Sequence, residues 1–178
     1  NPQGAVASLN QLKAYVRLAR DLDFILATDE CYCEIYCGAP PPGIIEACAT
    51  DDGHLRNVIA FHSLSKRSNV PGLRSGFVVG DSDLIMDFAR LRQYTGGASP
   101  GPILAAATSL WKDEAHVKAN RALYRDKFSD AEKIIGSHPH FYRPDGGFYL
   151  WLKVGDGEET ARRLWASAGV KVMPGAYL

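Results

Sequence analysis

Val58-Ile59-Ala60-Phe61-His62-Ser63-Leu64-Ser65-Lys66 opens as an apolar run of strand length and turns polar at its carboxyl end. A continuous apolar run with polar residues at its end suits a strand buried in a parallel sheet. Upstream, Phe24-Ile25-Leu26-Ala27-Thr28 repeats the pattern and ends in Asp29-Glu30. Downstream, Gly76-Phe77-Val78-Val79-Gly80 is a third run, bounded by glycines. Between and around the runs the spacing turns helical. Ser8 to Leu22 carries Leu9, Leu12, Val16 and Leu18-Ala19 at helical spacing with Ser8 as N-cap, and Asp83 to Tyr94 reads as helical with Leu84, Ile85, Phe88 and Leu91 on one face. Strands alternating with helices and loops predict an α/β sheet with crossover connections.

Beyond Pro100 and Pro102 the sequence predicts one long helical region from about Ile103 to Ile135, stopped by Gly136 to Pro139. Phe141-Tyr142-Arg143 and Phe148-Tyr149-Leu150-Trp151-Leu152, joined by Pro144-Asp145-Gly146-Gly147, predict a β-hairpin. Glu158 to Ala168 reads as a helix closed by Gly169, and Val170-Lys171-Val172-Met173 as a strand. Hairpin, helix and strand suggest a smaller α+β unit, so residues 1-118 are expected to form a larger domain and residues 119-178 part of a second one.

Composition narrows the function classes. Twenty basic and twenty acidic residues give 178 residues no net charge, which argues against a general attraction to nucleic acid or to anionic membrane. No apolar stretch approaches the roughly 18 residues of a membrane span. Asn1-Pro2-Gln3-Gly4 has neither the basic nor the apolar region of a signal peptide. A cytoplasmic protein is expected, and the opening turn and the closing Met173-Pro174-Gly175-Ala176-Tyr177-Leu178 suggest a piece of a longer chain, inactive and poorly soluble by itself. Cys31, Cys33, Cys37 and Cys48 lack zinc-ligand spacing and a secreted context, so they read as reduced thiols used in packing, with Cys31 and Cys33 on one side of a strand. His138-Pro139-His140 without a third ligand reads as a solvated turn. His62 reads as a packed strand-end residue, and Glu30 as structural.

Three polar clusters remain: Asn1-Pro2-x-Gly4, Asp29-Glu30-x-Tyr32, and Ser63-Leu64-Ser65-Lys66 with Arg74 following. Ligands of open α/β sheets bind beyond the carboxyl ends of the strands, so these clusters are expected to converge. Desolvation of Lys66 in such a crevice would favour the neutral amine that condenses with a carbonyl. Taken singly each cluster is ordinary: a turn, a solvated strand end, common loop residues, a surface arginine. Their joint order is what carries meaning.

In that order and approximate spacing the clusters resemble those of the fold-type I, pyridoxal-phosphate (PLP) dependent aminotransferases of class I/II. Ser63-Leu64-Ser65-Lys66 with Arg74 and Gly76 resembles the family's PLP-lysine signature, and the resemblance extends through the Pro144 to Tyr149 turn to Val172-Met173-Pro174-Gly175. Ser75 departs from it, since most members have an aliphatic residue there. The stretch Ser65 to Phe77, and Trp111-Lys112-Asp113-Glu114-Ala115-His116-Val117, look most like the succinyldiaminopimelate aminotransferase branch.

The resemblance implies part of a PLP-transferase large domain, mostly parallel in its sheet, followed by part of a small one. It also implies roles. Lys66 would hold PLP as a Schiff base and then shuttle the proton. Asp29 would pair with the pyridine nitrogen, Tyr32 and Asn1 would hydrogen-bond the phenolic oxygen, and Arg74, Ser63 and Ser65 would bind the phosphate. The substrates implied are a small amino acid, glutamate, and a 2-oxo acid such as N-succinyl-2-amino-6-oxopimelate in lysine biosynthesis. A homodimer is implied as well. Two rivals on the same fold are a carbon–sulfur β-lyase and a non-catalytic regulatory domain.

Overall fold

In the computed structural model, which describes residues 1–178, three strands form one sheet in the order β1-β2-β3: β1 (Leu26–Asp29), β2 (Val58–Ser63) and β3 (Gly76–Gly80). β1 and β2 are parallel, with Leu26 opposite Val58 and Asp29 opposite Phe61. β3 runs antiparallel to β2, with Ser63 opposite Gly76. Helix α1 (Leu9–Asp21) precedes β1, and α2 (Ile44–Ala49) lies in the connection from β1 to β2.

The first layer is held by burial. Leu12 and Val16 of α1, Ile44, Ala47 and Cys48 of α2, and Val58 and Ala60 of β2 make one apolar cluster. Ser8 caps α1 as its sequence position predicts: its hydroxyl accepts from Gln11 N, and Gln11 Oε1 accepts from Ser8 N at 2.8 Å. Asn57 pins the strand starts. Its backbone sits at φ 63°, and its side-chain amide donates to Ala19 O, Asp23 Oδ1 and Phe24 O. On the other face, Phe61 meets Phe88 of α4 (Ser82–Tyr94) edge-on at 6.3 Å between centroids.

A one-turn helix, α3 (Leu64–Arg67), and a 3-10 turn (Pro71–Leu73) link β2 to β3. The single helical region expected from Ile103 to Ile135 is two helices, α5 (Gly101–Lys112) and α6 (Ala115–Ile135). The break comes at Asp113, whose backbone is extended and whose carboxylate accepts from Ala115 N at 2.8 Å. Residue 118 lies inside α6, and α7 (Gly157–Ala168) follows, closed by Gly169 as expected.

Further expectations are corrected. The hairpin across 141–152 does not form, because the backbone groups of its turn are taken elsewhere: Gly146 N donates to Gly4 O, Gly147 N to Ile35 O, and Asp145 O accepts from Cys37 N. Gly4, at φ +76°, allows that approach, since a Cβ there would stand 2.3 Å from Pro144 Cβ. Val170 to Met173 has no ladder partner and is not a strand. Cys31 and Cys33 lie in a turn, not a strand, because the Asp29 carboxylate accepts from Cys31 N and Glu30 O from Cys33 N. β1 also starts later than expected, leaving Phe24 and Ile25 exposed. No helix is long and apolar enough to cross a membrane.

Candidate active site

Because β1 and β2 are parallel, their carboxyl ends fall on the same edge of the sheet, and the polar residues after each strand meet there. Asp29 closes β1. The turn started by its carboxylate, which accepts from Cys31 N at 3.0 Å, swings Tyr32 around to Asn1. Burial pushes the Tyr32 phenol up, the Asn1 side chain's hydrogen bond pulls it down, and the nearby Tyr149 phenol pushes it up again. Gly147, at φ +82°, leaves room for this group: a Cβ on it would lie 3.3 Å from Asn1 Oδ1. Asn1, Asp29 and Tyr32 line a cavity of about 400 Å³ with Thr28, Cys33 and Gly147.

The end of β2 supplies the second group. Ser63 has extended backbone and caps α3, its Oγ accepting from Ser65 N at 3.1 Å and lying 2.9 Å from Ser65 Oγ. Leu64 N donates to Ser75 O, which brings the turn carrying Arg74 alongside. Arg74 sits in the left-handed region at φ 50°, and its Nη1 donates to Pro71 O at 3.0 Å. Ser63, Ser65 and Arg74 line a neighbouring cavity of about 580 Å³ together with Ser75, Arg92 and Ser99.

Lys66 lines neither cavity wall. Its Nζ lies 4.9 Å from the Phe148 ring centroid and 5.8 Å from that of Tyr32, and the two rings are 5.3 Å apart. Burial pushes the Cys31 thiol up to about 12, the Asp29 carboxylate adds to that, and the Lys66 ammonium pulls it back. Glu30 and His62 hold the frame: Glu30 Oε1 accepts from Ile44 N at 2.8 Å, His62 Nε2 lies 3.5 Å from Glu30 Oε2, and the imidazole stacks on Phe77 at 4.7 Å.

Sequence reasoning missed the contribution of 147–149. Phe148 and Tyr149 read as strand residues, and only the Gly146-Gly147 pair beside two aromatics hinted at a close approach. The donor set matches the expected cofactor group by group. A carboxylate suits a pyridinium, a phenol and an amide suit a phenolate, and a primary amine suits an aldehyde. Hydroxyls with a guanidinium suit a phosphate.

The family model for aminotransferase class I and II matches residues 1–178. The chain is 33% identical over 182 residues to the 4-dedimethylamino-4-oxo-anhydrotetracycline transaminase of Streptomyces rimosus, covering 99% of this chain and 49% of that protein. It is also 33% identical to the LL-diaminopimelate aminotransferase of Aquifex aeolicus, over 98% of this chain and 46% of that one. The crystal structure of an aminotransferase from Neisseria meningitidis Z2491 superposes with a TM-score of 0.93 at 44% identity, covering 98% of this chain and 45% of that chain. The chain spans about half the length of the relatives it matches.

Proposed function

This chain belongs to the class I and II aminotransferases, and from that premise we propose that the full protein moves an amino group between glutamate and a 2-oxo acid, with Lys66 as the residue that carries PLP. The family is PLP-dependent, and when bound the cofactor supplies an electron-withdrawing ring that takes up the negative charge left by a departing α-proton.

The roles follow from what each side chain can do. Lys66 Nζ, as a neutral amine, takes the proton from the substrate's α-carbon, and as an ammonium it gives one back in the other half of the exchange. The Asp29 carboxylate would pair with the protonated pyridine nitrogen. The Tyr32 phenol, tied to Asn1, would donate to the cofactor's phenolic oxygen. The hydroxyls of Ser63 and Ser65 and the fork of Arg74 would hold the phosphate. The observation that supports this reading is the parallel pairing of β1 and β2, which brings Asp29 and the turn carrying Lys66 to the same edge of the sheet.

For the acceptor we propose N-succinyl-2-amino-6-oxopimelate, in lysine biosynthesis. The likeness to an enzyme named for LL-diaminopimelate, alongside the Ser65 to Phe77 stretch, supports that choice. A cytoplasmic homodimer is part of the same proposal, with residues 1-118 as most of a cofactor domain and 119-178 as part of a smaller one. The test is turnover by the full-length protein. Formation of 2-oxoglutarate from glutamate only when the acceptor is present supports transamination. Pyruvate and ammonia from a single amino acid substrate would instead indicate β-elimination. Borohydride reduction with PLP should tag Lys66, and Lys66→Ala should abolish the tag.

A further inference from the structure

Trp111-Lys112-Asp113-Glu114-Ala115-His116-Val117 takes no part in that chemistry, yet its side chains converge on the two residues that follow Lys66. Arg67 is only 6% exposed. Its Nη1 donates to Leu110 O at 3.0 Å, its Nη2 pairs with Glu114, and its guanidinium carbon lies 5.0 Å from the Trp111 ring centroid. Ser68 is 9% exposed, with its Oγ 2.9 Å from His116 Nε2, while His116 Nδ1 lies 2.9 Å from Asp113 Oδ2. One turn further along α6, Asn120 Nδ2 donates to Lys66 O at 3.4 Å.

These contacts matter because α3 is a single turn of four residues. An isolated turn of helix has no stability of its own, so its orientation is imposed by what it packs against. A buried guanidinium and a buried hydroxyl, each with its partners in place, make a rigid anchor, since any movement strands a polar group without a partner.

We propose that the junction of α5 and α6 is the positioning device for Lys66. His116, oriented by Asp113, fixes Ser68, Glu114 and Leu110 fix Arg67, and together they aim the Lys66 amine at Tyr32 and Phe148. His116 and Arg67 are positioning residues here, acting through the backbone of the Lys66 turn. The order Ser68, His116, Asp113 matches a hydrolytic relay in its contacts, but Ser68 lines neither site cavity, and its own N–H closes α3 on Leu64 O. The inference rests on the reading that Lys66 carries PLP.

The test uses the full-length protein with PLP and three readouts: the rate at which borohydride-trappable PLP forms on Lys66, the pH at which the visible band of the bound cofactor titrates, and the melting temperature without PLP. A misplacement of 1 Å can lower a reaction rate by about 100-fold, so a partial release of the turn in His116→Ala is expected to slow loading by about tenfold and to move the band's titration. His116→Gln, which can still meet Ser68, should recover most of the rate. The double variant Ser68→Ala with His116→Ala should be no slower than either single one. A His116→Ala protein with wild-type loading and titration would overturn the proposal, whatever its melting temperature. Should His116→Ala fail to fold, Asp113→Asn, at an exposed carboxylate, carries the same test with a smaller expected effect. If the wild type itself is not tagged on Lys66, the cofactor reading falls and this inference falls with it, whereas a tagged wild type isolates the inference.

Discussion

Lys66 Nζ stands 4.9 Å from the centroid of Phe148, a ring delivered by a glycine turn that docks on Gly4 and Ile35. A cation over an aromatic face is held by the ring's quadrupole, worth about 0.5–2 kcal/mol depending on exposure. Phe148 also touches Tyr32 and stacks on Tyr124 at 5.7 Å, so it fixes the amine against the phenol. Phe148→Leu is expected to weaken PLP binding several-fold, while Phe148→Tyr, which keeps the ring, should bind nearly as the wild type does. Absorbance titration of the full-length protein with PLP measures both, and equal affinities for Leu and Phe at this position would remove the ring from the site.

The Cys31 thiol provides an internal probe of the two charges. Asp29→Asn removes a carboxylate that raises its pKa, and Lys66→Ala removes an ammonium that lowers it, so the two substitutions should shift the thiol in opposite directions from about 12. Alkylation of Cys31 against pH, read by mass spectrometry, reports the shifts. A shift of the same sign in both variants would remove one of the two charges from the surroundings of the thiol.

The same thiol sets an alkaline limit. Its folded pKa of about 12 lies above the ordinary 9.0, so the unfolded chain loses this proton first as pH rises. Stability from this group is fully present below pH 9 and declines between pH 9 and 12. Chemical unfolding of Cys31→Ala should show a shallower alkaline loss than the wild type.

Asp81 sets an acid limit. Its carboxylate accepts from Asn57 N at 2.8 Å and from Asp83 N at 2.9 Å, and the Asn57 bond chiefly holds its pKa below 3.8. Stability from this group is present above that ordinary value and fades as pH falls below it. Asp81→Ala should lose about 1–2 kcal/mol at neutral pH, the range for a removed helix cap, and less of it at pH 3. Urea midpoints at the two pH values decide the matter, and a loss that does not shrink in acid would point away from the carboxylate.

Asn57 combines three side-chain hydrogen bonds with a left-handed backbone. Asn57→Gly should lose the bonds alone, and Asn57→Ala the bonds together with about 1–2 kcal/mol of backbone strain. Melting curves of the two variants give the difference directly, with Ala the less stable.

The sequence by itself determined the three strands, the capped first helix, the polar clusters at the strand ends and the lysine that follows β2. These depend on neighbours in the chain: an apolar run buries as a strand, and a serine or an aspartate caps the turn beside it. Tertiary structure alone decided that Pro144 to Gly147 docks on Gly4 and Ile35 instead of folding back as a hairpin, and that Trp111 to His116 closes around the Lys66 turn. A backbone amide or a buried guanidinium bonds to whichever acceptor packing brings near. That acceptor lies tens of residues away, where no local pattern can announce it.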